Sequence, residues 1–148
     1  MASLLLVAHA PLASSLQAVA RHAFADCSAD VAAVDVDAGA SLEHIESAIA
    51  AALADLPGAE VLILVDVFGA SPCNAALSVS DGVRSRVVAG VNVSMLWRSL
   101  CYSQLPLAEL VTRAVDGGRQ GIMQVASPRR QNQPNRPPSH DPDANSDQ

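Results

Sequence analysis

Two short runs constrain this chain more than anything else in it: SLLLVA (Ser3 to Ala8) and EVLILVD (Glu60 to Asp66). Both are apolar at nearly every position, without the alternation of a strand that has one wet face. Such a strand is buried on both sides, the usual condition in a parallel sheet. VAAVDV (Val31 to Val36) and RVVAGVNV (Arg86 to Val93) supply a second and a fourth strand. Helical spacing fills the gaps. Leu12, Leu16, Val19 and Phe24 follow Pro11, which suits a first helical turn. Ser41 caps a helix with Leu42, Ile45, Ile49, Leu53 and Leu56 on one face, ending at Pro57-Gly58. GASPCNAAL reads as a turn opening a third helix, and further helical stretches lie around Met95–Cys101 and Leu107–Val115. Gly117-Gly118 reads as a break, with GIMQVA (Gly121 to Ala126) as a last short strand. The pattern predicts an α/β fold, a doubly wound and mainly parallel sheet with helices on both faces. GIMQVA follows the Gly-Gly break too closely for a crossover helix of about a dozen residues to intervene. GIMQVA is therefore expected to pair antiparallel with an exposed edge of a second copy, in a homodimer.

Composition bounds the rest. The chain has 148 residues and reads as one domain over residues 1–127, followed by a tail over 128–148. The tail holds five of the nine prolines and no Val, Leu, Ile, Phe, Tyr, Trp or Met. It cannot bury enough apolar surface to offset its ordering entropy and is expected to be disordered. No apolar run approaches the ~18 residues of a membrane span, and no basic region precedes the first one. Neither a signal peptide nor direct membrane insertion is expected. The net charge of −6 argues against nucleic acid as a partner. Cys27, Cys73 and Cys101 are odd in number and lack a C-x-x-C pair, which suits a reducing cytoplasm and offers no metal pattern. No metal or other cofactor is expected.

In a doubly wound sheet, ligands gather at the carboxyl ends of the strands. Those ends carry His9, Asp35 or Asp37, Asp66 and Asn92. A lone His at a strand end is ordinarily solvated, and a lone Asp there ordinarily caps a turn; Asp35 and Asp37 are read as solvated loop and edge residues. His9 and Asp66 are read otherwise because FGASP shares their layer. The Gly69-Ala70-Ser71 turn leads into a helix whose free N–H groups and positive end favour an anion. Ser71 adds a hydroxyl donor. A nucleophilic imidazole (His9), a carboxylate to orient it (Asp66) and an anion cradle (Gly69, Ala70, Ser71) form a constellation suited to phosphoryl groups. Asn92 and Met95 are placed at a possible rim. His22 and His44 are read as solvent-facing, and His140 belongs to the tail. Cys73 is read as a small buried filler rather than an activated thiol, and Trp97 as either core or a partner-facing rim.

Four stretches, LLLVAHAP, LILVDVFGASPCNAA, VVAGVNVSMLWRSL and VDGGRQGIMQVA, resemble in order and spacing the mannose-family IIA domain of the bacterial phosphoenolpyruvate:sugar phosphotransferase system. The likeness covers about residues 3 to 126. It implies a cytoplasmic phosphocarrier that accepts a phosphoryl group from phospho-HPr on a histidine and passes it to a IIB domain or a regulatory partner. The family histidine matches His9, its orienting aspartate Asp66, and its phosphate-cradling serine Ser71. The resemblance further implies Nε2 as the attacking atom, strand order 2-1-3-4, and a fifth strand exchanged in a homodimer. Members that serve sugar transporters usually carry Gly after the histidine and a hydroxyl residue after the aspartate; this chain has Ala10-Pro11 and Val67. The HAPL and GGRQGIMQV variants look like the stand-alone IIA proteins of proteobacteria, whose role is thought to be regulatory. Two other classes share parts of the pattern. A receiver-type signalling module needs an acidic pair after strand one, where Ala8-His9 stands. A non-catalytic anion-binding module would present the same residues.

Overall fold

The computed structural model describes residues 1–27 and 29–128. The tail read as disordered lies almost wholly outside the described residues. Four strands and five helices follow in order: β1 (Ser3–His9), α1 (Leu12–Ala23), β2 (Val31–Val36), α2 (Leu42–Asp55), β3 (Val61–Val65), α3 (Ser71–Val79), β4 (Ser85–Ala89), α4 (Val93–Cys101) and α5 (Leu107–Gln120). The strands form one all-parallel sheet in the order β2-β1-β3-β4. Leu6 of β1 lies between Ala33 of β2 and Leu64 of β3.

The unbroken apolar runs exist because each strand feeds two cores at once. Leu4, Leu6 and Ala8 of β1, with Leu62 and Leu64 of β3, face Leu16 of α1, Leu96 and Leu100 of α4 and Leu110 of α5. The intervening Leu5, Val7, Ile63 and Val65 face Ile45 and Ile49 of α2 and Ala75 and Ala76 of α3. Successive side chains of a strand point to opposite sides, so a run without polar residues is what a sheet covered on both faces requires. Ser41 caps α2 as expected, its hydroxyl accepting the His44 N–H at 3.1 Å. No helix among the described residues is long and apolar enough to cross a membrane.

The C-terminal third departs from the sequence reading. β4 ends at Ala89 and not at Val93. Gly90 turns the chain at φ +90°, and the Gly90 and Val91 N–H groups both donate to the Val65 carbonyl at 3.0 Å. Gly117-Gly118 is no break, because α5 runs through both to Gln120. The pair marks a seam where α5 lies directly on α4. A Cβ on Gly117 would stand 2.6 Å from Arg98 Cβ, and one on Gly118 would stand 2.8 Å from Met95 Cε. The absent side chains allow the approach. In the single chain residues 122–127 lie outside any element, with Ile122, Met123 and Val125 exposed. Among the described residues, β4 keeps an unpaired outer edge.

The seam makes a testable demand. Gly117→Ala gains about 1 kcal/mol of helix propensity but forces α4 and α5 apart, at an overpacking cost of about 1–3 kcal/mol. The expected result is a net loss of about 1 kcal/mol, read as a lower midpoint in urea with an unchanged slope. A gain in stability would mean that the two helices separate freely.

Candidate active site

His9 is the last residue of β1, directly beyond a strand buried along its whole length. The ladder continues past it, since the Ala10 N–H donates to the Val36 carbonyl at 2.9 Å. The backbone that carries the imidazole is thus held by β2 on one side. On the other side stands Asp66, one residue past the end of β3.

Asp66 is held by three donors. Its Oδ2 accepts the His9 backbone N–H at 2.9 Å and the His9 ring at Nδ1 at 2.6 Å, while Oδ1 accepts the Val67 N–H at 2.8 Å. The side chain of Asp66 is 13% exposed and that of His9 is 54% exposed. The ring is therefore gripped from below and open above. Burial pushes the Asp66 carboxyl pKa upward, but the hydrogen bonds from His9 and Val67, with the charge of the ring, outweigh it. The carboxyl ends below the ordinary carboxylate range and is ionised at neutral pH. An ionised carboxylate can only accept, so it assigns the ring proton to Nδ1 and leaves the free lone pair on Nε2.

The loop after Asp66 turns through Gly69, at φ +88°, into α3. Asn74 Nδ2 donates to the Gly69 carbonyl at 3.4 Å, tying the turn to the helix. Ala70 occupies the N-cap position, no side chain caps the helix, and Pro72 stands in the first turn. The Ser71 and Cys73 amides lack an intrahelical acceptor by position, and the Ser71 side chain is exposed. The expected cradle residues therefore lie in the β3–α3 loop, on the sheet edge that carries His9 and Asp66.

The other candidates divide. Asp35, read as merely solvated, accepts the Ser14 N–H at 3.0 Å. It satisfies the first turn of α1, which has no side-chain cap of its own because Pro11 precedes it. Asn92 is not at a strand end but at the N-cap of α4. Its Oδ1 accepts the Met95 N–H at 2.8 Å and its Nδ2 donates to the Gly118 carbonyl at 3.1 Å, which pins α4 to α5. Met95 is only 5% exposed and belongs to the core, so the expected rim is absent there. Cys73 is buried as filler, and His22 and His44 face solvent. Trp97 is exposed and stacks on Phe24, with centroids 5.3 Å apart. The sequence reading passed over Phe68, which is 79% exposed two residues from Asp66, with Val67 exposed beside it. Two apolar residues in a loop that ends in Gly were the available signal.

Comparison with known proteins decides the relationship. The family EIIA-man, described as "PTS system fructose IIA component", matches residues 3–115. The chain belongs to this family. It is 45% identical over 65 residues to the mannose-specific EIIAB component of the phosphotransferase system of Escherichia coli K12, a match that spans 42% of this chain and 20% of that protein. It thus covers only a fifth of the length of that curated relative. Among solved structures it resembles a mannose/sorbose-specific IIA subunit from Enterococcus faecalis, with a TM-score of 0.75 and 25% identity over 86% of this chain and 96% of that one. The phosphotransferase component EIIA from Streptococcus agalactiae shares the fold, with a TM-score of 0.74 and 22% identity over 84% of this chain and 97% of that one. Membership of EIIA-man supports a phosphotransfer role within the sugar phosphotransferase system.

Proposed function

We propose that this EIIA-man protein is a phosphocarrier, with His9 as the residue that takes and yields the phosphoryl group. The observation that carries the proposal is the 2.6 Å pairing of His9 Nδ1 with an ionised Asp66 in an imidazole that is otherwise half-exposed. Neutral imidazole is a competent nucleophile near neutral pH. In the proposed step the Nε2 lone pair attacks phosphorus, the bond between phosphorus and the donor breaks, and the Nδ1 proton stays hydrogen-bonded to Asp66. The ring acquires positive charge as the P–N bond forms, and the carboxylate stabilises it. The phosphoryl oxygens lie toward the Ser71 hydroxyl and the Gly69–Ser71 end of α3, where unpaired amides and the helix dipole favour negative charge.

The proposed donor is phospho-HPr and the proposed acceptor a IIB domain or a regulatory protein, met in the cytoplasm. Val67 and Phe68 favour a protein partner, since they offer apolar contact area beside the nucleophile. The working unit is proposed to span residues 1–127, and a homodimer is proposed in which the exposed Ile122–Val125 segment pairs with the open edge of a partner's β4. The test is incubation with labelled phosphoenolpyruvate, enzyme I and HPr. The expected label is lost in acid and survives alkali, as a phosphoramidate does and an acyl phosphate does not. Absence of label at equimolar HPr would leave the anion-binding module as the better reading.

A further inference from the structure

Two cysteines far apart in sequence meet at the end of the fold opposite His9. Cys27 Sγ lies 3.6 Å from Cys101 Sγ, and both thiols are free. Cys27 follows α1 in the connection to the start of β2, and Cys101 is the last residue of α4. Just past α4 the Ser103 carbonyl accepts the Ala2 N–H, at the amino end of β1. The pair therefore stands at the amino edge of the sheet, while His9 stands at the carboxyl edge. Phe24 and Trp97 stack nearly parallel at 7° between α1 and α4, one turn before the two cysteines. That contact holds the two chain ends together. Cys101 is exposed and Cys27 half-buried.

We propose that Cys27 and Cys101 form a reversible intramolecular disulfide, with a low-molecular-weight disulfide as the oxidant. Closing the bond requires the sulfurs to approach from 3.6 Å to about 2.05 Å. The exposed Cys101 thiolate attacks the oxidant first, forming a mixed disulfide and releasing one thiol. Cys27 then attacks the Cys101 sulfur, and the second thiol leaves. Both cysteines are oxidised, the oxidant is reduced to two thiols, and the two cysteine protons pass to those thiols through solvent. The order follows from exposure, and Cys27 is also held protonated: burial, then the hydrogen bond and charge of Cys101 and the charge of Asp26, raise its pKa. The bridge closes a long loop and so restricts the unfolded chain strongly. Cys73 takes no part, since it is buried in the opposite core.

The experiment uses the full chain, reduced and then exposed to glutathione disulfide, followed by trypsin without reductant. Cleavage after Arg places Cys27 and Cys73 together in residues 22–84 and Cys101 in residues 99–113. The expected product links these two peptides in the wild type and in Cys73→Ser, and is absent in Cys101→Ser and in Cys27→Ser. Oxidation should raise the melting temperature by about 5–10 °C, reversibly, and leave Cys101→Ser unchanged. Three results would overturn the proposal: both thiols still open to alkylation, mixed disulfides with glutathione only, or linkage between chains only.

Discussion

His9→Ala takes up no label from phospho-HPr, whereas His22→Ala and His44→Ala are labelled at the rate of the parent chain. The separation is this sharp because the roles are covalent and not graded. A methyl group offers no atom for phosphorus, and the two other histidines face solvent and, among the described residues, neither forms an ion pair with a carboxylate. The fold survives the change. His9 contributes a half-exposed ring and one hydrogen bond to a charged group, whose removal costs about 1.5–3 kcal/mol, while its backbone N–H still donates to Asp66. A cooperative melting curve well above the assay temperature, recorded on the unlabelled variant, separates loss of the acceptor from loss of the fold. Uptake by His9→Ala at the parent rate would remove His9 from the mechanism.

Asp66→Asn is the more instructive change. The carboxylate accepts at both oxygens: two His9 donors at Oδ2 and the Val67 N–H at Oδ1. An amide has only one accepting end. If its oxygen faces Val67, its NH2 faces the His9 backbone N–H, which loses its acceptor, and the ring, where Nδ1 must become the acceptor. The ring proton then moves to Nε2, where it occupies the lone pair that attacks. If the amide turns over, the Val67 N–H meets a donor and the loop is strained. Either way the positive charge of the phosphorylated ring loses its counter-ion. A fall of about 100-fold or more in the rate of phosphoryl uptake is expected, with the folded state retained. The acid limb of stability provides a second reading. Because folding lowers the Asp66 pKa, its ionised form adds stability that is present above about pH 4 and is lost as the pH falls through the lowered value. The Asn variant should lack that part of the acid dependence. An Asn variant that transfers at the parent rate would show that Asp66 serves the fold alone.

How much of this was legible in the sequence depended on whether a signal was local. SLLLVA and EVLILVD carry their burial in nearly every residue, so the parallel sheet and its two covering layers could be read directly. His9 and Asp66 could be read because each sits where an apolar run ends, and strand ends in such a sheet converge. The 2.6 Å contact itself needed the register of β1 against β3. Gly117-Gly118 was misread because glycine has two opposed meanings. It ends helices when the backbone must turn, and it lets helices touch when a neighbour presses close. Only the position of Arg98 and Met95 distinguishes them, and neither is near in sequence. Asn92 was placed on a strand that Gly90 had already ended. The meeting of Cys27 with Cys101 depends on how α1 lies against α4, which no spacing encodes.

The double grip of Asp66 Oδ2, on the backbone N–H of His9 and on the ring of the same residue, closes a small cycle through a single side chain. Rotation about the bonds that aim the imidazole is therefore arrested when the chain folds, once, and not again at each encounter. A carrier has to serve as nucleophile toward one protein and as leaving group toward the next, through transition states that share the same bond to nitrogen. With the ring set by its own main chain, the orientation that suits receipt is also the one that suits release. Neither partner has to supply the torque.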